Sequence, residues 1–194
     1  MFRTDIIQTI ISTKKFKSYL EIGVQNPANN FDRIFCDFKV GVDPDPASNA
    51  TMIMTSDEFF KMNAGAQKFD LVFIDGLHES EQVKKDIQNA LLCLNLGGYI
   101  VMHDCNPTSK EMQMVPRIQS EWTGDTWKAF MNYRNLETLE MFVVETDYGC
   151  GVITPGRQKG ITIKPEDLTY ENLVEHRKEW LNLISVPEFI DKFN

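Results

Sequence analysis

Apolar residues in this chain come in short runs bounded by turn residues, and between the runs they recur at helical spacing. Ser18-Tyr19-Leu20-Glu21-Ile22-Gly23-Val24 reads as a short buried strand ending in a turn. Phe31, Ile34, Phe35 and Phe38 share one helical face, which predicts a helix over Phe31–Phe38. Lys39–Asp43 is a second strand, stopped by Pro44 and Pro46. Thr51–Met54 is a third, followed by Ser56 as the N-cap of a short helix from Asp57 to Asn63. Phe69–Asp75 is a fourth. Leu77–Leu96 then sets Val83, Ile87, Leu91 and Leu94 on one face and stops at Gly97-Gly98. Tyr99–Asp104 is a fifth strand. Strands that are apolar throughout are expected where helices cover both faces of a parallel sheet, and strand alternating with helix is the α/β pattern.

After Asp104 the rhythm breaks. Cys105–Gln119 has two prolines and little periodicity, the mark of a functional loop, and Trp122–Tyr133 resumes as a helix. Glu140–Glu145 and Gly151–Thr154 are two further strands. Thr146–Cys150 between them is too short for a crossover helix, so they form an antiparallel hairpin. The tail, about 166–194, reads as helical, with Leu173, Val174, Trp180, Leu181 and Ile184 as its apolar stripe. The sum is one α/β domain over 1–194: a mostly parallel seven-stranded sheet with an antiparallel C-terminal hairpin and helices on both faces.

Composition narrows the partners. The formal net charge is −8, and the densest basic group, Lys14, Lys15 and Lys17, is what a solvated turn carries. An acidic surface repels phosphate backbones, so nucleic acid is not an expected partner. Cys36, Cys93, Cys105 and Cys150 are far apart, against a zinc site or a disulfide framework, and Cys36 and Cys93 lie in apolar stretches as core filler. No apolar run reaches 18 residues, so no membrane span is expected. Charges interrupt Met1–Ile7, which lacks the apolar core of an export signal; a cytoplasmic location is the expectation.

In an open α/β sheet, ligands bind at the carboxyl ends of the strands, where the strand order reverses. The polar residues there are Glu21 and Gly23, Asp43, Asp75, His103 and Asp104. Gly23 lets backbone approach a ligand, and Asp43, twenty residues on, is placed to accept hydrogen bonds from ribose hydroxyls. The alternative is that Asp43-Pro44-Asp45-Pro46 is only a turn. A nicotinamide dinucleotide needs Gly-x-Gly-x-x-Gly, and Gly23-Val24-Gln25-Asn26-Pro27-Ala28 keeps only the first glycine.

Tyr19–Val24, Val40–Pro44, Phe69–His78 and Gly97–Asp104 together resemble, in order, successive motifs of class I S-adenosylmethionine-dependent methyltransferases. The resemblance is greatest to bacterial small-molecule enzymes such as the macrolide-sugar O-methyltransferases; Gly124–Lys128 and Asp147–Gly151 extend it. It implies a Rossmann-like methyltransferase fold, S-adenosylmethionine as cofactor and a small-molecule hydroxyl as acceptor, such as that of a sugar or glycan. By the same resemblance Glu21, Gly23 and the adjoining Val24 shape the pocket for the methionine moiety, Asp43 holds the ribose, and Ser56 and Asp57 lie near the adenine. Asp75 falls at the cofactor and at the position that binds a divalent cation such as magnesium, and His78 falls at the position of the general base. The partner ligands in that group are an acidic pair; here they are His103-Asp104, with Asn106 as a neutral helper. Imidazole suits zinc, iron or manganese better than magnesium. The other departure is Asn26-Pro27-Ala28, where many relatives carry another glycine.

Each of these residues has a plainer reading: His103 as a strand-end histidine bonded to backbone, His78 as a solvated residue beside Glu79 and Glu81, and Trp122 and Trp127 as core rather than acceptor wall. A non-catalytic binding protein on the same fold, or a nucleotide-dependent oxidoreductase, are the competing functions.

Overall fold

Burial along the strands sorts the chain into three layers. In the computed structural model, which describes residues 1–194, Leu20, Ile22, Val40, Val42, Val72 and Ile74 face one side of a single sheet. Tyr19, Leu71, Phe73 and Val101, of opposite parity, face the other. Strand side chains alternate between faces, so strands apolar at both parities must be covered twice. The chain runs α1 (Arg3–Lys14), β1 (Ser18–Ile22), β2 (Phe38–Asp43), β3 (Met52–Ile53), α2 (Ser56–Asn63), β4 (Phe69–Ile74), α3 (Ser80–Cys93) and β5 (Leu94–Met102). It continues through α4 (Thr126–Met131), β6 (Leu139–Val144), β7 (Cys150–Pro155), α5 (Tyr170–Trp180), β8 (Leu183–Ile184) and α6 (Val186–Phe193). Helices α2 to α5 cover the first face, and α1 and α6 the second.

The strand order is β3-β2-β1-β4-β5-β7-β6-β8. β1 to β5 are parallel, and β7 is antiparallel to both β5 and β6, as the short Thr146–Cys150 connection requires. The expected α/β class and C-terminal hairpin are therefore present. The chain leaves β1 outward through β2 and β3, then returns to lay β4 on the other side of β1. The β1/β4 junction is where the order reverses and where a crevice opens at the strand ends.

The sheet departs from expectation by an eighth strand. β8 breaks the helical tail: Asn182 adopts a left-handed conformation (φ 45), its side chain donates to the Met141 carbonyl at 2.8 Å, and Leu183–Ile184 pair with Val143–Val144. Val174, assigned to the tail's apolar stripe, is 54% exposed. The Phe31–Phe38 helix is replaced by one 3-10 turn, Phe31–Arg33, preceded by another at Pro27–Asn29. Asn30 stands between them because its buried side chain is engaged by Thr4, Tyr19 and Glu21; only Ile34 of the apolar set is buried, and Phe35 and Phe38 are exposed. α3 stops at Cys93 rather than running to Leu96, since Leu94 already pairs with Phe69 and the Asn95 amide donates to Asp70 at 2.6 Å. Thr55, not Ser56, caps α2, exchanging hydrogen bonds with Glu58 in a capping box. The expected Trp122–Tyr133 helix is confined to α4, and α1, which buries Ile6, Ile7, Ile10 and Ile11, was not foreseen. No helix is long and apolar enough to cross a membrane.

Ile87 in α3 is fully buried against the sheet. Ile87→Ala should cost about 2–5 kcal/mol by leaving a cavity, whereas Val174→Ala should change stability by less than about 0.5 kcal/mol. Denaturant midpoints of the two variants check this.

Candidate active site

A cavity of about 850 Å³ opens at the carboxyl ends of β1, β2, β4 and β5. Glu21, Gly23, Val24, Asp43, Ser56, Asp57, Asp75, His78, His103 and Asp104, chosen from sequence, all line it. So does Trp122, whose ring stacks on His78 with centroids 5.3 Å apart and whose Nε1 donates to the Met114 carbonyl at 2.6 Å. Trp127 is different: it is fully buried, donates to Gln113 Oε1 and belongs to the core. Asn106 also stands apart, its side-chain oxygen taken by Arg177.

Gly23 is needed for close approach. Its φ is +87, and a Cβ there would lie 2.2 Å from the Asp75 carbonyl oxygen. Both Asp43 oxygens accept from loop backbone, Oδ2 from the Gln25 N–H and Oδ1 from the Asp45 N–H, each at 2.8 Å. The carboxylate thus fixes the loop after β1 and retains lone pairs for a ligand. At the far end, the Gln82 amide reaches Ser56 Oγ, Asp57 Oδ1 and Asp86 Oδ1 at 3.0–3.2 Å, and burial pushes the Asp86 carboxyl up to about 6.

Glu21 lies beneath the cavity on the α1 side. Its Oε2 accepts from the Tyr19 hydroxyl at 2.5 Å and from Asn30 Nδ2 at 2.9 Å, and Asn30 in turn accepts from Thr4 Oγ1. Burial outweighs these hydrogen bonds and pushes the Glu21 carboxyl up to about 7.

The acidic end is built where β4 and β5 stop. Asp104 has a left-handed backbone (φ 60), uncommon for a residue other than glycine. His78 lies between two carboxylates, Nε2 at 3.3 Å from Asp75 Oδ1 and Nδ1 at 3.1 Å from Asp104 Oδ2. Nδ1 is nonetheless buried without a hydrogen-bond partner. Burial lowers the His78 pKa, but the Asp75 hydrogen bond and the charges of Asp104 and Asp75 raise it further, and the net direction is up. Glycine and carboxylate hold this loop. A Cβ on Gly124 would sit 1.7 Å from the His78 carbonyl oxygen, and the Asp125 carboxylate accepts from Ser80 N and Oγ at 2.7 and 3.0 Å.

His103 stands among three carboxylates. Its Nδ1 is 3.4 Å from Asp75 Oδ1 and 3.2 Å from Asp104 Oδ1, and its Nε2 is 3.4 Å from Asp147 Oδ2. Burial is outweighed by these three carboxylates, which push its pKa well above the ordinary value. His103 thus bridges Asp75, Asp104 and Asp147. Two groups bring potential ligand atoms within 4.8 Å of one another, Asp75 with His78 and Asp104, and His103 with Asp147 and Cys150.

Two contributors were missed from sequence. Asp147 is carried in by the β6–β7 turn, where Asp147, Tyr148 and Gly149 are all left-handed (φ 48, 58 and 89), and whose carbonyls accept from the Cys105 and Asn106 N–H groups. Arg3 reaches across from α1. The extended motif Asp147–Gly151 was the available signal for the first; nothing in the charged N-terminal segment marked the second.

The site is thus a switch-point cavity with a glycine turn, a second-strand carboxylate and an Asp-x-x-His pair. A family model described as a methyltransferase domain matches residues 42–105, from the end of β2 to just past β5. No sequence among the curated proteins matches the chain. Solved structures do. An O-methyltransferase from Bacillus cereus in complex with S-adenosylhomocysteine is 10% identical, with a TM-score of 0.59 over 80% of this chain and 82% of that one. The O-methyltransferase TomG from Streptomyces achromogenes, involved in tomaymycin synthesis and solved with S-adenosylmethionine, is 12% identical, with a TM-score of 0.55 over 79% of each chain. The MycE methyltransferase of the mycinamycin pathway, in complex with Mg and S-adenosylhomocysteine, is 16% identical, with a TM-score of 0.50 over 89% of this chain and 54% of that one. The resemblance to class I methyltransferases seen in the sequence stands at the level of the fold.

Glu21 provides a test of the buried network. Its folded-state pKa lies above the ordinary 4.5, so its ionised form opposes folding: stability is full below about 4.5 and falls as pH rises through about 7. Glu21→Gln should escape that loss, opening a gap over wild type of ~3 kcal/mol by pH 8. Denaturation curves from pH 4 to 9 measure it; a gap constant across that range contradicts the assignment.

Proposed function

We propose that the protein transfers a methyl group from S-adenosylmethionine to a hydroxyl of a small molecule, with a sugar or glycan-linked hydroxyl as the acceptor. The observation that carries this reading is the convergence of all ten sequence-chosen residues on one cavity at the β1/β4 switch point. Its volume suits a cofactor with part of an acceptor, in the range of about 300–1,000 Å³ usual for such sites. S-adenosylmethionine fits the residues present. Gly23 leaves bare backbone at the crevice, Asp43 offers lone pairs to a ribose, and Ser56 and Asp57 lie beyond it for the adenine. When bound, the cofactor supplies an electrophilic methyl on a sulfonium.

The chain's own residues orient the acceptor and move its proton. In neutral His78 the Nε2 hydrogen points to Asp75, which leaves the lone pair on Nδ1, the atom without a partner. That nitrogen takes the hydroxyl proton as the oxygen attacks. Trp122, stacked on the imidazole, walls the acceptor's side of the cavity. A divalent cation also fits this end: Asp75 and Asp104 would hold it, leaving His78 Nδ1 free for the proton, and it would stabilise the negative charge developing on an acceptor oxygen. Bound Mg in the MycE complex supports that reading.

A paired comparison tests the function. In calorimetry, S-adenosylhomocysteine should bind wild type and NAD should not. Asp43→Ala should weaken binding by roughly 1.5–3 kcal/mol, the range for a hydrogen bond to a charged group. His78→Ala should keep that binding and lose about 100- to 10,000-fold in turnover on a hydroxylated sugar or phenol found by screening. Binding with no turnover on any acceptor would instead mark a non-catalytic module, and unchanged affinity in Asp43→Ala would remove Asp43 from the site.

A further inference from the structure

The acidic end holds three carboxylates, Asp75, Asp104 and Asp147, and one cation that does not titrate in the physiological range, Arg3. Its Nε lies 3.7 Å from Asp75 Oδ2, beyond hydrogen-bonding distance, and is buried without a partner. Its Nη1 lies 3.3 Å from Asp147 Oδ2 and 3.4 Å from His103 Nε2. The position is built rather than incidental. The Arg3 backbone N–H donates to the same Asp147 oxygen at 2.9 Å, and Thr4 beside it donates to Asn30, which holds Glu21. The first turn of α1 is thereby pinned to the floor of the cavity on both sides.

A divalent ion held by Asp75 and Asp104 would share the Asp75 carboxylate with this guanidinium. Like charges a few ångströms apart in a partly buried site repel strongly. We infer that Arg3 is the resident counter-cation of the acidic end and sets how tightly that end takes a divalent cation, an inference that rests on Asp75 and Asp104 being cation ligands. The charge does this, not the shape of the side chain. Arg3 offsets the charge of Asp75 and Asp147 without an ion and makes the ion compete for Asp75.

Manganese(II) is the probe, titrated calorimetrically into the full chain in the absence of acceptor. Arg3→Met, with Arg3→Gln as a second variant should the first fail to fold, should bind Mn²⁺ about tenfold or more tighter than wild type. Arg3→Lys, which keeps the charge, should stay near wild type, and adding Asp104→Asn to Arg3→Met should abolish the gain. S-adenosylhomocysteine affinity serves as the check that each variant is folded. Equal Mn²⁺ affinity in wild type and Arg3→Met overturns the inference while leaving the cation site standing. Tightening in Arg3→Lys equal to that in Arg3→Met overturns it as well, because shape would then be the cause. No Mn²⁺ binding in any variant overturns both the inference and the cation reading beneath it.

Discussion

The backbone of Gly23 lies so close to the carbonyl of Asp75 that no side chain fits between them, and the site depends on that approach. β1 and β4 are joined there by the Asp75 N–H donating to the Ile22 carbonyl at 2.8 Å, just as the Gly23 N–H joins β1 to Val42 at 2.9 Å. With the three strand ends drawn together, their next residues have to turn out of the sheet. Asp43 turns back to grip the loop after β1, and Asp75 projects toward the ends of β5 and α1. A side chain at position 23 would wedge β1 from β4 at the one place where the strand order reverses, and the cavity would lose its floor.

The second organising feature is electrostatic. Three carboxylates brought together at low exposure repel one another unless protons or cations intervene. Here two imidazoles and a guanidinium stand among them, and the consequence is visible in each partner: burial alone would raise Asp75 and Asp147, yet His103 and its neighbours hold both below the usual carboxylate range, Asp147 at about 2. The cluster's contacts fix His78 between Asp75 and Asp104, and the same contacts leave one of its nitrogens unsatisfied beneath Trp122.

How much of this could be read from the sequence follows from which interactions are local. The strands at Ser18, Lys39, Phe69 and Tyr99 were legible because an apolar run stopped by turn residues has few other uses, and the strand-end residues followed from the strands. The Phe31–Phe38 helix failed because spacing cannot reveal that Asn30 is claimed by a buried network formed with Thr4, Tyr19 and Glu21. The run of α3 to Leu96 failed for a related reason: Leu94 and Asn95 satisfy groups on β4, a partner distant in sequence. Arg3 was invisible because its charge acquires meaning only when α1 packs across the second face of the sheet. His103 was legible as a site residue but not as a tie among carboxylates, which required knowing that Asp147 approaches it from the hairpin turn.

We propose that one switch-point cavity holds the cofactor along β1 and β2 and presents it to His78. Crystals grown with S-adenosylhomocysteine test it most directly. Ligand density is expected across the ends of β1 and β2, with the ribose hydroxyls on Asp43, the adenine toward Ser56 and Asp57, and the sulfur directed at the end formed by Asp75 and His78. Density lodged elsewhere, or a ribose that makes no contact with Asp43, would contradict it.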